Sequence, residues 1–451
     1  MPASLRDLWD ALPAAAQDAA WLALLVLPAL LVGWWLVRGL RPWPLVAALL
    51  GRTPGTALVF VLVVAGSVAL GTALTAQERA LREGTANAAR PFPVLVARPG
   101  SRVDALLAAV YLQPGALPLL DGATLVRLMA DGDAALAAPL AFGDAWMSKG
   151  NGDPFPVVGT TAALIAHLGA LSEGRAFRAH GEAVAGALVP LAPGDTFRPS
   201  HGMTHGSEEA HDVAFTVVGR MAPLGSPWDR ALLVPVETVW ATHGLGTGHD
   251  PARADWRTRI GPPFDADVVP GVPAVVLAAD ALFRNYALQR RYDGAGPEGG
   301  ETMAFFPGAE LARLHAVAGD VRAAVSLMAG AAQALVAGGV LAGLLALMRL
   351  HARSLALLRA LGAPRRFVGA VVWGAATTLV GAGAGLGLLL GWALAGTVSA
   401  FVSRRTGIAV EAAPGWPEGH AVALFATLAV LVALVPALLV ARRTTMADLR
   451  F

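Results

Sequence analysis

The sequence predicts an α-helical integral membrane bundle of five spans, with a large mixed α/β domain inserted outside the cytoplasm between spans 2 and 3. Three observations predict it. Hydrophobic residues make up 55% of the 451-residue chain, too apolar for an ordinary soluble protein. Five stretches, 19–37, 55–76, 323–348, 367–402 and 421–441, carry no Asp, Glu, Lys or Arg inside them and match the roughly 20 residues that cross a bilayer core. The segments 38–52, 349–366 and 442–451 hold eleven arginines against one acid, Asp448, whereas 77–320 holds 26 acidic and 19 basic groups. Basic loops stay in the cytoplasm, so the long acidic segment and the N-terminus are expected outside.

The first stretch follows Asp7, Asp10 and Asp18 with only Arg6 among them, and runs into Trp34, Trp35 and Arg38. A secretory signal needs a basic start and a small-residue cleavage site, so residues 1–40 read as an extra, uncleaved membrane helix. In 38–52, Trp43, Leu45, Leu49 and Leu50 can lie in the membrane interface while Arg41 and Arg52 meet headgroups, which reads as an amphipathic elbow; 41–77 is then elbow plus span 2. Beyond it, TAQERALREGTANAAR (75–90) and PGAELARLHAVAGDVRAAV (307–325) space apolar residues three and four apart, as helical stalks on either side of a domain at 78–320.

Inside that domain FPVLVARPG, DPFPVVGTT, AFTVVGR and RALLVPVETVW read as strands bounded by Gly and Pro. VDALLAAVYL, LVRLMADGDAALA and AALIAHLGAL read as helices. Residues 182–220 suggest a small β module, and 244–275, rich in Gly, Pro and charge, a long loop. The remainder, 321–451, is a membrane domain of three spans with a basic helix at 350–365.

Composition excludes several functions. There is no cysteine, so no disulfide and no thiolate metal site. A phosphate-binding loop needs Gly-Lys, and the single lysine, Lys149, follows Ser148; any ATP and Mg²⁺ would be bound by another chain. No G-x-S-x-G occurs, and no catalytic residue is assigned. The spans offer only Gln333 and a few Thr and Ser, poor material for an ion path. Basic character here follows membrane topology and argues against a nucleic-acid partner. Gly383, Gly387 and Gly391 repeat every four positions, a pattern for close helix packing; a phosphate-binding loop there would sit in lipid.

The basic helix carries Arg353, Arg359, Arg365 and Arg366 with no acid in HARSLALLRALGAPRRF (351–367). Leu350, Leu357, Leu358 and Leu361 are placed on one face, with Arg353 and Arg359 pointing away. Alone, such a helix would bind anionic lipid. Its run Arg353, Leu358, Arg359, Ala360, Leu361, Gly362, Ala363, Arg365, Arg366 resembles the cytoplasmic loop of FtsX/MacB-type ABC transporter permeases. VVGTTAALI, LSEGRAF, GEAVAGALVPLAPGDTF and FTVVGRM follow the order of the MacB-like periplasmic core domain, so the resemblance covers roughly 41–451. The extra first helix departs from it, as does Ser354, where the family commonly has Glu.

The resemblance implies a non-catalytic permease subunit in the bacterial cytoplasmic (inner) membrane, a homodimer working with a separate cytoplasmic ABC ATPase. Leu357, Leu358, Leu361 and Gly362 with the four arginines would couple ATP hydrolysis to the exported domain by mechanotransmission, for export or extraction. A periplasmic adaptor, a binding protein or a lipoprotein would be its exported partner. An FtsX-like signalling subunit without a transported substrate is the alternative that the same resemblance leaves open.

Five of the ten histidines, His201, His205, His211, His243 and His249, fall in 201–249 among Glu208, Glu209, Asp212 and Asp250. Imidazoles with carboxylates suit Zn²⁺, which would make a metal-linked transporter or a metal-binding receptor. HGMTH lacks the Glu of a zinc hydrolase, and Gly202 and Gly206 favour a loop; a solvated polar loop is the plainer reading.

Overall fold

The computed structural model describes residues 5–148, 154–201, 213–294, 300–317 and 352–443, with isolated positions between 319 and 343. The chain divides into two compact units: 1–80, 320–400 and 411–451 form one, and 81–319 with 401–410 the other.

The first unit is helical. It contains α1 (Leu5–Asp10), α2 (Ala14–Val37), α3 (Trp43–Arg52) and most of α4 (Pro54–Ala89). Four elements from the C-terminal part join them: α10 (Ala352–Ala360), α11 (Arg365–Thr406, its last residues in the other unit), α12 (Trp416–Val432) and α13 (Leu434–Arg443). Among the described residues, four helical stretches are long and apolar enough to cross a membrane: Ala14–Val37, Pro54–Ala89, Arg365–Thr406 and Trp416–Leu439. The fifth expected span, 323–348, lies largely outside the described residues.

Val64, Val68, Val371, Val372, Trp373, Leu379 and Val430 form the core of this unit. Leu24, Leu30, Leu31, Leu58, Leu62, Leu389 and Leu428 stay exposed on its outside. Such a surface is costly in water and costs nothing against lipid chains. Trp34, Trp35 and Trp43 crowd the α2–α3 link, with the Arg38 guanidinium 5.0 Å over the Trp34 ring, an interfacial combination of aromatic and cation. The elbow expected at 38–52 is α3, but Val46 and Leu49 turn into the bundle core instead of along the interface.

The second unit is a mixed sheet with short helices. Its strands are β1 (Val94–Ala97), β2 (Leu136–Met147), β3 (Pro154–Thr160), β4 (Leu171–Gly174), β5 (Glu182–Ala185), β6 (Thr196–Phe197), β7 (Ser200–His201), β8 (Phe215–Met221), β9 (Leu232–Pro235), β10 (Ala274–Ala278) and β11 (Met303–Phe305). They run in the order β11-β1-β10-β2-β3-β9-β5-β8-β4, with β6 on β8 and β7 on β2. Among the described strands, only β3–β9 and β5–β8 pair in parallel. The helices are α5 (Arg102–Tyr111), α6 (Gly122–Met129), α7 (Ala162–Leu168), α8 (Val236–Thr242) and α9 (Leu282–Tyr292).

Strand alternation divides two cores. Leu95 and Val276 enter the one built around Phe92, Leu106 and Trp228. Val94, Val96 and Val275 enter the other, with Val157, Leu232 and Phe264. Capping sets helix starts: Ser101 accepts from the Asp104 amide at 3.1 Å, and Asp121 from the Thr124 amide at 2.7 Å. Those hydrogen bonds hold the Asp121 carboxyl below its usual range.

Two segments differ from the sequence reading. LVRLMADGDAALA is a helix only to Met129 and becomes β2 from Leu136, because Gly132 and the Asp131 turn stop it. RALLVPVETVW is a strand only to Pro235, which has no amide to continue the ladder; Val236–Thr242 coils into α8.

Candidate functional site

The basic segment of the helical unit forms a helix, a tight turn and a second helix. α10 ends where Gly362 takes φ +92°, a left-handed conformation that glycine alone adopts freely. The Ala363 amide then reaches back to the Leu358 carbonyl at 3.0 Å and the Gly362 amide to the Arg359 carbonyl at 3.0 Å, closing the helix end. Pro364 follows, and its carbonyl already accepts from Phe367 as α11 begins.

The faces of α10 differ from the sequence expectation. Leu355 and Ala356 are buried and Leu358 packs beside them, whereas Leu357 is 50% and Leu361 85% exposed. Leu357 and Leu361 are one turn apart, so they share the outer face, and Leu358 lies about 100° round from Leu357 on the inner one. Arg359 is half-buried and Arg365 exposed. Leu350 and the Arg353 side chain lie outside the described residues.

Arg366 has partners within the unit. Its guanidinium donates to the carbonyls of Trp35, of Leu36 at 3.3 Å and of Arg38 at 3.2 Å, and stands 5.5 Å from the centre of the Trp35 ring. These carbonyls end α2, where intrahelical donors run out and the helix dipole is negative. The first helix is thus tied into the bundle. Gly33 lies so near Trp373 of α11 that an added Cβ would stand 2.7 Å from its ring, and His420 of α12 meets the Asp18 carbonyl at 2.8 Å.

Gly383, Gly387 and Gly391 of α11 form a seam against α4. A Cβ on Gly383 would stand 2.6 Å from Val64, one on Gly387 2.6 Å from the Ala65 carbonyl, and one on Gly391 2.5 Å from Thr72. Backbones meet there because the side chains are missing.

The sequence reading missed a polar group in the same unit. Arg79 of α4 donates to the Ala413 carbonyl at 2.5 Å and lies 3.5 Å from Glu418, which is fully buried in the first turn of α12. Beside it Ser399 donates to Gln77 at 3.0 Å. Both pairs join residues more than three hundred positions apart, so no local pattern signals them.

In the sheet unit His243 and His249 do not share one centre. His205 and His211 lie outside the described residues. His201 stands opposite Asp144 in the β7–β2 register. His243 holds Nε2 3.4 Å from Asp144 Oδ1 and Nδ1 2.8 Å from the Val239 carbonyl. His249 is buried elsewhere, 3.7 Å from Glu237 Oε1 and stacked on Phe264 at 5.4 Å. Among the described residues, no three His, Asp or Glu side chains gather into a metal site.

Comparison with known proteins locates one family. Residues 326–446 match the model of the FtsX-like permease C-terminal family. No curated protein matches the chain. Among solved structures, the periplasmic region of MacB from Actinobacillus actinomycetemcomitans is similar with a TM-score of 0.32 and 10% identity, over 50% of this chain and 95% of that one. The extracellular domain of the noncanonic ABC-type transporter YknZ from Gram-positive bacteria is similar with a TM-score of 0.30 and 9% identity, over 47% and 98%.

Proposed function

We propose that this chain, with its FtsX-like C-terminal region and, among the described residues, four helices of membrane-spanning length, is the permease subunit of an ABC transporter. Two copies would work with two copies of a separate cytoplasmic ATPase that binds ATP and Mg²⁺. The observation that carries the reading is the match over 326–446, which includes α10 and its outward pair Leu357 and Leu361.

In this reading α10 is the coupling element. Leu357 and Leu361 enter an apolar groove of the ATPase, while Arg359 and Arg365 meet acidic groups at its rim. Exposed leucines beside arginines suit a helix laid into a protein groove. Closure of the ATPase pair would press α10, and α11 would carry that displacement, because only the Gly362–Pro364 turn separates the two helices. The exported domain would then move a lipid, peptide or lipoprotein cargo without a polar path through the spans.

The chain has no cysteine, so a single introduced thiol is unique. With Leu361→Cys carrying a thiol-linked photocrosslinker in native membranes, illumination should yield an adduct whose peptides include a P-loop ATPase. An adduct with lipid alone would reject the coupling assignment.

A further inference from the structure

A cavity of about 170 Å³ lies in the sheet unit, lined from the end of β3, the start of α7, α8 and the loop at 260–262. For scale, an apolar cavity of about 150 Å³ takes up benzene. Ala163 and Pro262 are exposed and mark its solvent end. Met129, Phe177 and Ile260 give it apolar walls. Thr160, Thr161 and Glu237 line it too, and all three are buried. The cavity therefore leads from solvent past hydrocarbon to polar groups.

Those polar groups have capacity that the protein does not use. Neither the Thr160 nor the Thr161 hydroxyl has a hydrogen-bond partner among the described residues. Thr161 holds the capping position before α7, yet its side chain takes no amide of that helix. Glu237 Oε1 accepts from the Gly261 amide. Its one ionic neighbour among the described residues is His249, whose Nε2 stands 3.7 Å away, beyond hydrogen-bonding reach. Buried hydroxyls nearly always find a partner, and a buried carboxylate is costly without a cation on it. The wall beside Glu237 is held in place by His180. Its Nε2 donates to the Arg259 carbonyl at 3.1 Å, and its Nδ1 stands 3.0 Å from Thr238 Oγ1.

We propose that this cavity binds a small primary amine as its ammonium ion. An ammonium group donates three hydrogens, and Glu237 with the two hydroxyls offers three acceptors. Its hydrocarbon stem lies along Met129, Phe177 and Ile260, and a chain of about five carbons matches the volume. An anion would meet the Glu237 carboxylate instead of a counter-charge. The proposal rests on the sheet unit alone, and it stands or falls separately from the permease reading.

The test uses the full chain in nanodiscs of zwitterionic lipid, titrated with n-pentylamine by calorimetry at neutral pH. Empty nanodiscs serve as the blank for amine that enters lipid. The expected result is one amine per chain with a Kd below about 1 mM, within reach of so few heavy atoms. n-Pentanol should bind more weakly and pentanoate not at all. Glu237→Gln keeps an acceptor for the Gly261 amide but removes the charge, and should weaken binding about 10- to 100-fold. Thr160→Val combined with Thr161→Val should weaken it about 10-fold. Ala163→Phe, a change at an exposed position, should block the cavity and abolish binding. If Glu237→Gln unfolds, Ala163→Phe decides. Absence of binding at about 10 mM amine overturns the proposal and leaves a cavity that holds only water. Pentanoate binding as tightly as the amine overturns it as well, and so does binding that survives Ala163→Phe, because the amine then sits elsewhere.

Discussion

The guanidinium of Arg366 closes the carboxyl end of a helix 331 residues earlier by donating to the carbonyl of Trp35. A single side chain, also reaching Leu36 and Arg38, thereby anchors α2 to the start of α11. Arg366→Ala should leave those carbonyls without a charged donor, at about 1.5–3 kcal/mol for a hydrogen bond to a charged group and less where solvent replaces it. Hydrogen exchange in nanodiscs should speed up at the α2–α3 link. Arg366→Lys should recover only part of the protection, since an ammonium is a point donor without the planar fork. Unchanged exchange in Arg366→Ala would show that α2 is held by apolar packing alone.

The glycine seam makes a prediction with its control on the same helix. Gly387→Val would drive a branched side chain into the Ala65 carbonyl and Val68, whereas Gly385 has nothing within 4 Å. Overpacking costs about 1–3 kcal/mol where neighbours can yield, and a carbonyl yields less than a side chain. The melting temperature of Gly387→Val should fall by several degrees, while Gly385→Val melts with the parent. Equal melting of the two would mean that the helices separate freely at this seam.

A third prediction concerns pH. Hydrogen bonds from the Arg175 guanidinium, aided by the Arg178 amide, hold the Glu182 carboxyl down at about 2. A carboxyl lower in the folded chain than in the unfolded one adds stability above its unfolded range, and that stability is lost as pH falls toward the folded value. Melting temperature should therefore drop between about pH 5 and pH 2, the unfolded and folded ends of this titration. Glu182→Gln should flatten that part of the profile and be less stable at neutral pH. The pair is partly solvated, with 42% and 19% of its side chains exposed, so the change is a modest one.

Topology is tested with the same absence of native thiols. A membrane-impermeant maleimide on intact spheroplasts should label Leu245→Cys, which is 51% exposed in the sheet unit. It should label Leu361→Cys only after permeabilisation. The reverse pattern would invert the orientation read from the arginine loops.

What the sequence made legible divides by range. Long apolar runs announce α2, α4, α11 and α12 because a membrane helix must satisfy every backbone group within itself. Short Val-rich runs with Leu or Phe, bounded by Gly and Pro, announce β1, β3 and β8. VETVW escaped because β-branched residues fit a strand or a short helix equally well, and only Pro235 marks the change. Gly383, Gly387 and Gly391 announced a packing face, though not its partner, α4. The α10 stripe was misplaced because Leu355, Leu357, Leu358 and Leu361 are all leucine, so composition cannot say which of them faces the core. Asp144 gave no signal. Its approach to His243 is set by the folded sheet.

The spacing of that seam sets a step length. Gly383, Gly387 and Gly391 lie four residues apart, and their neighbours on α4, Val64, Val68 and Thr72, keep the same interval. Sliding one helix past the other by four residues, about 6 Å, would bring each remaining glycine opposite the next of those neighbours. Two of the three close approaches would survive such a displacement, and intermediate positions would place side chain against backbone. The contact is therefore periodic along its length, with discrete resting registers instead of a continuous slide.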